Sequence, residues 1–100
     1  MEENSAMEFV RKLFEDEDFA KMVFIKIWFL KRENNESGKE ADTQRMVDAG
    51  KQMEFEFTAD EYIKANEEYL NSIGGFNTLK ALYRLFMLQS KVENNIENNE

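Results

Sequence analysis

At 100 residues, with 42% apolar side chains and 13 Lys and Arg against 21 Asp and Glu, the chain reads as one small acidic domain. It has no histidine and no cysteine, which excludes disulfides, thiolate nucleophiles, imidazole bases, zinc ribbons and haem ligands. A net charge of −8 argues against a phosphate-neutralising surface, so direct nucleic-acid binding is not expected.

Nine Phe, three Tyr and one Trp supply bulky core material, while the lack of proline and the mere four glycines permit long helices. The expected class is therefore all-α, a compact bundle of four to five short helices with a disordered C-terminal tail. Phe19 to Leu30 is the most apolar stretch, but Lys21 and Lys26 break it and it is too short to span a bilayer. The opening residues lack the basic and apolar regions of a secretory signal, and the absence of cysteine fits a reducing cytoplasm.

In chain order, Ser5 and Glu8 have capping-box spacing ahead of a first helix with Phe9, Val10, Leu13 and Phe14 on one face. Glu15, Asp16, Glu17 and Asp18 then suit the N-terminus of a second helix. They lack the alternating ligands and turn glycine of a calcium loop. The second helix, about Phe19 to Lys31, is apolar all round. Phe24, Trp28 and Phe29 serve either the core or a self-association patch. A polar loop follows, and Asp42 is the expected N-cap of a third helix ending near Gly50 or Met53.

Phe55 and Phe57 alternate with Glu56 and read as an extended crossing. Thr58 and Glu61 form a second capping box, opening a fourth helix that carries Tyr62, Ile63, Tyr69 and Leu70. Gly74-Gly75 is either a helix stop or a processing junction. The last expected helix covers about Asn77 to Val92. Lys80, Arg84 and Lys91 lie within about 40° of one another on it. Leu79, Leu82 and Phe86 fall in the apolar remainder. The organisation expected is thus an acidic helical body over 1–75, a basic amphipathic helix over 76–92, and a low-complexity tail over 93–100.

No acid, base or nucleophile falls in a recognisable catalytic spacing, and adjacent carboxylates such as Asp60 and Glu61 diverge around a helix. A binding role without catalysis or cofactor is expected.

Two blocks carry a family resemblance. Ser5 to Val10 with Leu13 and the acidic step to Phe19, and Gly50 to Tyr62 with its aromatic-Thr-acidic helix start, resemble the Nif-eleven-type leader peptides. Those small helical domains precede the modified part of ribosomally synthesised, post-translationally modified peptides. The resemblance implies that a maturation enzyme grips Phe55, Phe57, Thr58, Asp60, Glu61 and Tyr62. It also implies cleavage after Gly75, which would release the amphipathic segment. The alternative is a stand-alone inhibitor or regulator, such as a phage-type anti-defence protein, that fills a basic cleft of its target. A homodimer through Phe24–Leu30 or Leu79–Leu88 is a third expectation.

Overall fold

The computed structural model describes residues 4–99, which form five helices and, among these residues, no strand. Residues 1–3 and Glu100 lie outside the described range.

Helix α1 (Ser5–Glu15) is capped by Asn4, whose extended backbone lets its side chain accept the Met7 N–H at 2.8 Å. The expected Ser5 cap is thus displaced by one residue, and Ser5 is already helical. Asparagine is as good an N-cap as serine, and here it stands first. Asp16 ends α1 and caps α2 (Glu17–Glu33), accepting the Phe19 N–H at 3.1 Å. Glu17 and Asp18 sit in the first turn at the positive end of the helix dipole.

Helix α3 (Lys39–Gln52) starts earlier than expected, after Gly38 at φ 115°. Asp42 is not its cap. The Asp42 carboxylate instead takes the Arg45 guanidinium at 3.0 Å, one turn inside the helix. Arg45 is only 7% exposed and also donates to the Asn34 and Glu36 carbonyls. That side chain folds the 34–38 loop back over the helix start, and the reversal falls on the residue that tolerates positive φ. At the other end Gly50 is buried, because Phe57 lies against it: a Cβ there would come within 2.6 Å of the ring.

Residues 55–58 cross without helical or strand structure into α4 (Ala59–Ile73). Both arms of the Thr58/Glu61 capping box are present, at 2.8 and 3.1 Å. Gly74 alone, at φ 71°, separates α4 from α5 (Gly75–Asn98).

Helix α5 corrects the C-terminal expectation. Residues 93–98 continue the helix rather than forming a disordered tail. The polar composition of this stretch conceals an inward row. Leu88 and Val92 are buried, Ile96 packs on the same cluster, and Glu93 pairs with Lys31 of α2 at 3.3 Å.

The centre of the fold is Phe9, fully buried and ringed by Phe19, Phe55, Phe57 and Tyr62 at centroid distances of 5.0 to 6.3 Å. Around it α1 packs on α4 and α2, while α2 also meets α3 and α5. A second cluster joins Ala6, Val10 and Phe14 of α1 to Ala65 of α4, with Ala81 and Leu85 of α5 against it. The core therefore extends across both sides of Gly74-Gly75.

Candidate contact surface

The apolar residues of α5 divide between two opposite faces. Ala81, Leu85, Leu88, Val92 and Ile96 recur at three- and four-residue intervals and pack on the body. Phe76, Leu79, Leu82, Tyr83, Phe86 and Met87 point the other way and are 43 to 70% exposed. A helix that is hydrophobic all round is normally buried all round, yet here only one side has a partner.

The cations beside this face are differently occupied. Lys80 lies over the Phe76 ring, 4.9 Å from its centroid. Arg84 donates to the Phe14 carbonyl near the C-terminal end of α1, where a cation also meets the negative end of the dipole. Lys91 is exposed. The expected basic stripe is therefore partly a structural clamp, since Arg84 ties α5 to α1.

The block expected to be gripped by an enzyme is drawn together, but inward. Phe55, Phe57 and Tyr62 pack against Phe9, while Thr58 and Glu61 bond each other across the α4 cap. Only Asp60, Thr58 and Glu61 of that set are exposed. Burial pushes the Tyr62 phenol up to about 12. The Tyr69 phenol is also raised, first by desolvation and then by its 3.0 Å hydrogen bond to Glu15.

Of the α2 residues expected to mediate self-association, Phe24 is only 4% exposed and belongs to the core. That part of the expectation is corrected, because the α2 face carrying Ala20, Val23, Phe24 and Ile27 is the one that α1, α3 and α5 cover. Trp28 is partly buried between the Phe29 ring and the Arg32 guanidinium. Phe29 is half-exposed, in a short outer row with Met22 and Ile25.

Phe76, Tyr83 and Met87 complete the α5 face beyond Leu79, Leu82 and Phe86. Phe76 and Tyr83 carry a signal in the sequence, the recurrence of 76, 79, 83 and 86 as a second helical row beside the inward one, whereas Met87 falls outside that spacing.

Among the described residues, no group of three or more His, Cys, Asp or Glu comes together to hold a metal ion. None of the described helices is long and apolar enough to cross a membrane. The cleft lined by Leu13, Phe14, Ala20, Arg84, Leu85 and Leu88 has a volume of about 160 Å³. Ligand pockets run from about 300 to 1,000 Å³, so this cleft is small for an organic substrate. A more open groove of about 670 Å³ runs along α5 beside Tyr83, Met87, Ser90, Lys91 and Asn94. No family model, curated protein or solved structure matches the chain.

Proposed function

We propose that the chain is a non-catalytic protein-binding module whose contact surface is the outward face of α5. The observation that carries this reading is the row of six large apolar side chains in solvent on a helix whose opposite side already completes the core. Contiguous exposed apolar patches are characteristic of interaction sites. The lack of histidine and cysteine, and of any catalytic spacing, supports a role in binding.

The test is capture on the immobilised full chain, offering both cell extract and a differently tagged second copy. Leu79→Glu and Phe86→Glu should lose the partner bound by the native chain, whereas Ile63→Glu on α4 should keep it. Circular dichroism would verify that each variant folds. Undiminished capture by the α5 variants would remove the reading. Salt separates it from the basic-cleft inhibitor: binding through the acidic body weakens as salt rises, and an apolar contact does not.

A second reading, the leader-type precursor, is favoured by the α4–α5 corner. Gly75 is exposed, and nothing lies within 4 Å of a Cβ placed at either glycine, so a peptidase has room to approach. Cleavage after Gly75 would, however, withdraw Leu88 and Val92 from the core. Intact-mass analysis after incubation with a maturation system tests this reading. Loss of residues 76–100 supports it, and an unchanged mass sinks it.

A further inference from the structure

Phe76, Leu79, Tyr83 and Phe86 are three, four and three residues apart, the a/d spacing of a helix-pairing seam. Resting on the α5 contact reading above, we propose that the occupant of this face is a second copy of the chain, with the two α5 helices antiparallel.

Three observations select a second copy. The first is that the seam can oppose itself. Its spacing is unchanged on reversal, so an antiparallel mate sets Phe76 opposite Phe86 and Leu79 opposite Tyr83, each twice through the two-fold axis. The two inner layers set a ring against an aliphatic side chain, the large-against-small arrangement of a packed core, and the two outer layers pair two rings. A parallel mate would stack Tyr83 on Tyr83 and align the two helix dipoles.

The second observation is area. An aromatic side chain offers about 150–250 Å² and a leucine or methionine somewhat less, so three of each at 43 to 70% exposure present roughly 600–700 Å². That is close to the ~800 Å² each partner contributes to a standard interface.

The third observation is charge. Residues 76–100 carry three cations and three acids, while the rest of the chain holds the whole surplus of −8. Along the seam itself, residues 76–87, the charges are Lys80 and Arg84, so two copies that meet through α5 approach along the least acidic part of the chain. The apolar run also ends where the pairing needs it to. Beyond Met87 the same face holds Ser90, Asn94 and Glu97, and a two-fold axis between Leu79 and Tyr83 leaves those residues outside the seam.

Sedimentation equilibrium of the full chain should give twice the monomer mass at micromolar concentration, and Leu79→Glu and Phe86→Glu should return it to the monomer with unchanged circular dichroism. Because the chain has no cysteine, direction can be read by oxidative coupling. A mixture of Phe76→Cys and Phe86→Cys chains should cross-link, and Phe76→Cys alone should not. Self-coupling of Phe76→Cys would overturn the antiparallel arrangement. A dimer that survives both glutamate variants would place the interface elsewhere and also overturn the proposal. A native chain that stays monomeric up to about 1 mM, the weak limit of specific association, would overturn it as well. If those same variants then lose a different captured protein, the second-copy inference falls while the contact-face reading stands.

Discussion

Helices α1 and α5 both show helically spaced apolar residues, yet they meet water in opposite ways. In α1 Ala6, Phe9, Val10, Leu13 and Phe14 are all buried, and the other side is polar. In α5 the apolar residues occupy two faces, one in the core and one in solvent. Apolar content alone does not assign a helix to the core. What matters is whether each face has a neighbour: α1 meets α2 and α4, whereas the outward row of α5 stays 43 to 70% exposed. The first helix is spent on stability and the last is shared between stability and contact.

Matched truncations in the two helices should have very different effects. Phe9→Ala should cost about 3–5 kcal/mol in chemical denaturation, the range for emptying a packed aromatic site. Phe86→Ala should stay within about 0.5 kcal/mol, the range for surface positions, in a chain held monomeric by Leu79→Glu. Similar losses at both positions would mean that the two helices do not differ as described.

The Tyr62 phenol gives the next largest effect, through pH. Its value in the fold, about 12, stands above the ordinary 10.0, so the neutral form is favoured in the folded chain. The corresponding stability is fully present below pH 10 and is lost as pH rises towards 12, on the order of 2 kcal/mol. Thermal melts across that interval should fall in the native chain, and Tyr62→Phe should flatten the part due to this group. Gly50→Ala should cost about 1–3 kcal/mol despite the better helix propensity of alanine, because the Phe57 ring occupies the space. The smallest effect distinguishes the two candidate caps of α1. Asn4→Ala should lower stability by about 1 kcal/mol, and Ser5→Ala by much less.

How much was legible depends on how far apart the determining residues stand. The Thr58/Glu61 box and the start of α2 can be read locally, because cap and first turn lie within four residues. The α3 start cannot, since it depends on Arg45 reaching back to the carbonyls of residues 34 and 36. Nor can the helicity of residues 93–98, which is supported by Lys31 and by the cluster around Phe9. The alternation of Phe55 and Phe57 likewise shows that two rings share a side, but not that Phe9 and Gly50 wait there. The α5 row is legible as spacing, but its exposure depends on the docking of the opposite row, Ala81, Leu85, Leu88, Val92 and Ile96, on the body.

The row Leu88, Val92 and Ile96 also sets the timetable of synthesis. Phe9 leaves the ribosome well before residues 88–96, and the cluster it anchors closes only when those residues have emerged. Until then the α2 face that α5 covers, with Ala20, Val23, Phe24 and Ile27, stays open on that side. Apolar surface left open in this way during synthesis is the kind that makes incomplete chains prone to aggregate.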